Sequence, residues 1–113
     1  MSRMPVAVFA LALLAPSLAL AADAVGIPGA VAVLEVNHST ADTYLQYHGR
    51  VVLSDGTRAT EYRWGGTSCS NKALPEALVT MLQRAMAAGT PVVPRYQAGQ
   101  GTNRCLVGFT LTP

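Results

Sequence analysis

The strongest structural signal in the chain lies in residues 44–64, which read YLQYHGRVVLSDGTRATEYRW. Two runs of alternating apolar and polar residues flank Asp55-Gly56. An Asp-Gly pair favours a tight hairpin, because a type I′ turn needs positive φ at both central residues. We therefore predict antiparallel strands over residues 44–53 and 57–64, joined by a two-residue loop.

A two-residue loop fixes which residues of the two strands face each other. We expect Gly49 to leave room for the Tyr62 ring, and Arg50 to form a cross-strand charge pair with Glu61. The mostly apolar face, which should point to the core, carries the pairs Leu53–Arg58, Val51–Thr60, Gly49–Tyr62 and Tyr47–Trp64. The mostly polar face carries Val52–Ala59, Arg50–Glu61 and His48–Arg63.

An amphipathic helix is predicted after the hairpin. Pro75 suits a first helical turn, Glu76 complements the positive end of the helix dipole, and Gly89 with a following proline ends the segment. We expect Met81 and Met86 to pack in the core. The predicted apolar stripe consists of Leu78, Val79, Leu82, Ala85 and Met86.

The remaining apolar segments predict further strands. Residues 30–36 form a short apolar run, and residues 92–93 begin another strand that Pro94 confines to a sheet edge or a bulge. Residues 96–103 form a polar, glycine-rich loop. The alternation of residues 104–111 places on the core face Cys105, Val107, Phe109 and Leu111.

The order of these elements, β-β-β-α-β-β, has no regular β-α-β alternation. It predicts the α+β class: a small, mainly antiparallel sheet of about five strands with one amphipathic helix packed on one face. An all-β fold is the alternative if the helix is shorter than its signals indicate.

The N-terminal segment has the features of an export signal. Arg3 supplies a positive charge, residues 6–14 are apolar, and Ala19-Leu20-Ala21 forms a small-x-small cleavage site. The apolar run is too short for a membrane span, so we expect a cleaved signal peptide over residues 1–21 and no membrane anchor in the mature chain. The mature protein is then periplasmic or secreted. Residues 22–113 form one small domain with a flexible leader at 22–29.

Two cysteines, Cys69 and Cys105, fall in the mature part. An even number of cysteines in an exported chain favours a disulfide, and a small domain gains much of its stability from one. The alternative is a catalytic or metal-binding thiol pair, which lacks a C-x-x-C spacing and a histidine near either cysteine in sequence.

Charge indicates no particular class of partner. After loss of Arg3, seven basic residues face six acidic ones, a net charge of about +1. We do not expect nucleic acid as a partner, because the net charge is small and the predicted compartment is the periplasm or the cell exterior.

The sequence gives little support for catalysis. His38 and His48 are the only histidines, and no nucleophile-elbow or H-E-x-x-H pattern is present. Gly99-x-Gly101 lacks the helix and lysine of a phosphate-binding loop. We therefore predict no catalytic residue, no metal site and no cofactor.

The favoured function is a non-catalytic exported module that binds or inhibits another envelope or extracellular protein. Trp64 is a second candidate contact, although its inner-face position favours core packing. The main candidate contacts combine cationic, aromatic and amide side chains, a mixture common at interfaces: Arg95, Tyr96, Gln97, Gln100, Asn103 and Arg104. The alternatives are a small envelope hydrolase or cell-wall enzyme using Asp42, Glu61 or a histidine, and a structural envelope component.

Overall fold

The described part of the chain folds into a six-stranded sheet with one α-helix across one face. A computed structural model describes residues 23–113; the predicted signal peptide lies outside them. The elements are β1 (Ala24–Val25), β2 (Ala30–Val36), a 3₁₀ turn (Asp42–Leu45), β3 (Gly49–Ser54), β4 (Ala59–Trp64), α1 (Glu76–Ala88), β5 (Val92–Ala98) and β6 (Arg104–Leu111). The strand order is β1-β5-β6-β4-β3-β2, and among these strands only β4 and β6 pair in parallel.

The predicted α+β class is confirmed, with one strand more than expected. The additional strand, β1, lies in the segment 22–29 where we expected a flexible leader. It pairs with β5, and hydrogen bonds from the backbone N–H groups of Gly26 and Gly29 to β5 carbonyls extend the contact, at 2.9 and 3.0 Å. The leader therefore covers the outer edge of β5.

The β3–β4 hairpin is present, but its predicted register is wrong. Ser54 pairs with Ala59, so the connection has four residues instead of two. The Asp55 carboxylate accepts hydrogen bonds from the backbone N–H groups of Thr57 and Arg58, both at 2.8 Å. Both hydrogen bonds lower the pKa of Asp55, and the bond from Thr57 has the larger effect. The aspartate thereby closes a wider turn than the Asp-Gly dipeptide suggests.

The corrected register shifts every pair by two residues, which leaves the side chains within β3 and β4 on their predicted faces. The partners differ, however. Gly49 faces Trp64, and a Cβ at position 49 would lie 2.3 Å from the indole, so the space assigned to Tyr62 belongs to Trp64. Tyr47 precedes β3, and its hydroxyl donates to the Glu35 carboxylate. The predicted Tyr47–Trp64 pair does not form.

The predicted helix bounds are confirmed, since α1 begins after Pro75 and ends at Gly89 in the left-handed conformation, with φ of 68°. Leu82 and Ala85 are buried in the core, but Met81 and Met86 are 41% and 44% exposed. The expectation that both methionines pack in the core is wrong. A single sheet covers only a narrow stripe of a helix, which leaves the sides of α1 in solvent.

A β-bulge in β6 interrupts the alternation of its side chains between the two faces of the sheet. Tyr96 pairs with Leu106 and Arg95 with Gly108, so Val107 has no partner. Leu106 therefore joins the core with Phe109 and Leu111, which pack against it. Cys105 is fully buried but lies on the opposite face of the sheet, so the prediction of one core face for all four residues is wrong in part.

Candidate functional site

The predicted binding residues converge at the end of the β5–β6 hairpin. A groove of about 400 Å³ is located there, and we call it the tip groove. Four of the seven predicted residues line it. The complete lining is Ala24, Tyr96, Gln97, Ala98, Gly101, Thr102, Asn103 and Arg104.

The connection between β5 and β6 is fixed by the chain around the disulfide. Cys69 and Cys105 are bonded as predicted, with their Cα atoms 5.7 Å apart. The backbone N–H of Gln100 donates to the carbonyl of Ser68 at 2.9 Å, directly before Cys69. Gly99 packs so closely that an added Cβ would lie 2.4 Å from both the Cys105 sulfur and the Ser68 carbonyl oxygen. The tip is therefore attached to a second, covalently bonded segment.

Three predicted residues lie outside the tip groove. Arg95 points to the other face of the sheet, where it donates to the Thr110 hydroxyl at 3.0 Å. Gln100 is exposed but does not line the groove. Trp64 is 2% exposed and belongs to the hydrophobic core. Core packing is therefore the role of Trp64, which leaves the candidate set.

A second groove, of about 420 Å³, adjoins the tip groove and shares Tyr96 and Arg104 with it. We call it the arginine groove. Arg58 is not among the predicted contact residues, because nothing in its neighbouring sequence indicates that β6 lies beside β4. Its lining is Val25, Gly26, Ile27, Arg58, Ala59, Thr60, Glu61, Tyr62, Tyr96 and Arg104.

Tyr96 forms the accessible inner wall of the arginine groove, and Tyr62, which is 2% exposed, packs behind it in the core. The two rings have their centroids 5.4 Å apart and are tilted by 59°, a favourable arrangement for two aromatic rings. Burial raises the pKa of Tyr62, with a smaller contribution in the same direction from Tyr96, while Arg104 acts in the opposite direction. Tyr62 is therefore neutral at physiological pH and supports the Tyr96 ring.

The sheet face opposite the helix carries an ion network. Arg50 Nε lies 2.6 Å from Glu35 and Arg50 Nη1 lies 3.2 Å from Glu61. The predicted Arg50–Glu61 pair thus exists, but diagonally, since the residue directly opposite Arg50 is Arg63. Arg63 Nε lies 3.5 Å from Glu61 without hydrogen-bond geometry, and its guanidinium stacks 4.3 Å from the centroid of the Tyr47 ring.

Both histidines line a third groove, of about 510 Å³, between α1 and the chain that follows β2. We call it the histidine groove. His38 Nδ1 lies 2.9 Å from the Thr40 hydroxyl and accepts from the Thr40 N–H at 3.1 Å. His48 stacks on Tyr44 with ring centroids 4.0 Å apart. Its lining is Val36, Asn37, His38, Ser39, Tyr44, His48, Trp64, Leu74, Glu76, Val79, Thr80 and Gln83.

The residues named for a hydrolase are not brought together. Glu61 lines the arginine groove, the histidines line the histidine groove, and Asp42 lines neither. Within residues 23–113, no three histidine, cysteine, aspartate or glutamate side chains are placed to share a metal ion. Within the described residues, the side chains named for a hydrolase are therefore distributed over separate parts of the surface.

Comparisons with known proteins identify no relative that would suggest a function. No protein-family model, curated protein or solved structure matches the chain. Over residues 23–113, the structure contains no helix with the length and apolar character needed to cross a membrane.

Proposed function

We propose that the protein is a non-catalytic binding module that acts in the periplasm or outside the cell, and that its partner is another protein. One observation carries the proposal. Tyr96, Gln97, Asn103 and Arg104 line one groove at a tip that the Cys69–Cys105 disulfide braces. An aromatic ring, two amides and a guanidinium on a fixed support are typical of protein interfaces.

The hydrogen bonds that order the tip explain why this surface suits binding. Gly99 N–H donates to the Asn103 carbonyl at 2.9 Å, and Gln97 Nε2 donates to Asp23 at 2.7 Å. A loop that is ordered before binding loses less conformational entropy when the partner docks, so more of the contact energy appears as affinity. The predicted export signal and the disulfide, which is compatible with an exported protein, support the proposed location.

The test is affinity capture from envelope and culture-medium extracts, with the oxidised protein purified after export. A Thr102→Trp/Arg104→Ala bait fills the tip groove and removes its cation. An Arg84→Ala/Ala87→Trp bait makes the same type of change on the exposed side of α1. Unchanged thermal unfolding should first show that both variants are folded.

We expect the original protein and the α1 variant to retain the same protein, and the tip variant to lose it. Equal retention by all three baits would contradict the tip as the site. Retention of no protein above a bead-only background would contradict a protein partner. If the captured protein is an enzyme, a fall in its turnover on addition of the original protein would make the module an inhibitor.

A further inference from the structure

We propose that the arginine groove recognises an acidic segment of the protein partner, with Arg58 and Arg104 as its two carboxylate-binding residues. This inference rests on the proposed function and gives it a partner chemistry. Arg58 precedes β4 and Arg104 begins β6, so the neighbouring positions of these strands bring both side chains to one groove.

The first observation is that these two arginines are exposed and have no acidic partner. In the region from Asp23 to Pro113, the ion pairs formed by the seven basic residues involve Arg50 and Arg63 alone. Paired arginines stabilise the fold, whereas two exposed guanidinium groups beside one groove remain available to a ligand. A guanidinium binds a carboxylate through two parallel hydrogen bonds, which gives direction as well as charge.

The second observation is that the acidic residues near the groove are already engaged. Glu61 is the only acid in its lining, and its carboxylate lies 3.2 Å from Arg50 on the ion-network face. Side chains alternate along a strand, so Glu61 points away from the face that carries Tyr62. Asp55 precedes Arg58 by three residues and interacts with it electrostatically, but its carboxylate is hydrogen-bonded to the turn backbone and does not line the groove. The lining therefore carries two arginines against one acid, which is itself paired with Arg50.

The third observation concerns the type of anion. Recognition of anionic membranes or nucleic acid uses clusters of several basic residues on a broad surface. Here two arginines lie beside a groove of about 420 Å³ with the partly exposed Tyr96 ring as its wall, and the buried Tyr62 supports that ring. Two cations and an aromatic wall fit a short peptide segment with two carboxylates and an apolar or aromatic side chain between them.

The test is an NMR titration of the ¹⁵N-labelled, oxidised protein, including the arginine Nε–H signals. The probe is the blocked peptide acetyl-Gly-Glu-Tyr-Glu-Gly-amide, and the matched control peptide has glutamine in place of both glutamates. Inorganic phosphate and vesicles of an anionic phospholipid are tested separately. We expect the acidic peptide to shift the Arg58, Arg104 and Tyr96 signals, and the glutamine peptide to bind at least roughly tenfold more weakly.

Two variants make the result specific. Arg58→Glu/Arg104→Glu should abolish the shifts. Lys72→Glu/Arg84→Glu makes the same change in net charge at residues that do not line the groove, and it should leave the affinity within about twofold because salt screens charges outside the binding site. A dispersed spectrum confirms that each variant is folded. Binding of the glutamine peptide with equal affinity, shifts centred on other residues, or binding of phosphate or vesicles without the acidic peptide would overturn the inference.

The affinity-capture experiment separates the two proposals. A captured protein that is lost with Thr102→Trp/Arg104→Ala but retained by Arg58→Glu would refute the acidic-segment inference and leave the binding function intact. Failure to capture any protein would refute the proposed function, whatever the peptide result.

Discussion

The arginine groove and the histidine groove have similar volumes and both contain aromatic and ionisable residues, but they differ in how those residues are used. In the histidine groove, His38 contacts Thr40 and His48 stacks on Tyr44. In the arginine groove, Arg58 and Arg104 have no acidic partner in the described chain. The residue types in a groove therefore say less about its function than whether those residues already contact neighbouring groups of the protein.

The two grooves also differ in their support. The arginine groove shares Arg104 with the tip groove, beside the disulfide and the Gln100–Ser68 hydrogen bond. The histidine groove lies between α1 and the chain around residues 36–48, with no covalent crosslink in its lining. The chain before Cys69 also contacts the region beside this groove, because the Thr67 and Ser68 N–H groups donate to the carbonyls of Leu45 and Gln46, both at 2.9 Å. Loss of the disulfide should therefore affect the tip and residues 45–46, and α1 least.

The largest expected effect comes from removing the disulfide. The Cys69→Ala/Cys105→Ala variant should lose about 3 kcal/mol of unfolding free energy, because the bond constrains the unfolded chain over a sequence separation of 36 residues. Urea unfolding measures the loss. Hydrogen exchange of the native state should accelerate most at Gln100, Thr67 and Ser68, whose N–H groups form the hydrogen bonds to and from the segment beside Cys69, and least in α1. Equal acceleration in α1 would contradict a local supporting role of the disulfide.

A smaller effect is expected in the histidine groove. His48→Ala should cost about 1 kcal/mol of unfolding free energy because it removes the ring stacked on Tyr44. His48→Phe keeps an aromatic ring and is the matched control, with a loss of less than half that size. Both variants should bind the acidic peptide as the original protein does. A fall in peptide affinity in His48→Ala alone would show that the histidine groove takes part in recognition.

The smallest effect concerns the arginines that have acidic partners. Arg50 holds the pKa of Glu35 below its ordinary value, opposed in part by burial and supported by the Tyr47 hydroxyl. A lowered folded-state pKa stabilises the protein above the unfolded pKa, and this stabilisation is lost as pH falls through the folded value. Glu35→Gln should therefore reduce stability at pH 7 by no more than about 1 kcal/mol.

The pH dependence of stability tests the direction of this effect. Thermal unfolding at pH 7, 5 and 3 should show the difference between the original protein and Glu35→Gln shrinking as the solution becomes more acidic. A difference that grows on acidification would contradict the ion network. Peptide binding at pH 7 should be equal in the two proteins, because the network lies on the opposite face from the tyrosine wall.

Features determined by neighbouring residues were predicted well from the sequence. Pro75 and Gly89 gave the helix bounds, and the cysteine count gave the disulfide. The alternation of apolar and polar residues along β3 and β4 correctly indicated which side chains face the core. It could not indicate which residues pair across the two strands, because a shift of two residues leaves every side chain of the strands on the same face. The cross-strand partner of Gly49 was therefore missed.

Features that depend on distant parts of the chain could not be predicted. Val107 continues an apolar alternation, and nothing in its neighbours indicates that the strand bulges there. Tyr96, Gln97, Asn103 and Arg104 are candidates by residue type and lie close together in sequence. Arg58 comes near Tyr96 and Arg104 only because β4 and β6 are parallel neighbours, with α1 and β5 between them in sequence. That non-local contact creates the arginine groove.

The most direct test of the binding surface is site-specific photocrosslinking in envelope and medium extracts. A benzophenone amino acid replaces either Thr102, which lines the tip groove, or Ser39, which lines the histidine groove. The account predicts that Thr102 crosslinks to one protein, that the added change Arg58→Glu/Arg104→Glu abolishes this product, and that Ser39 gives none. A product from Ser39 and none from Thr102 would contradict it.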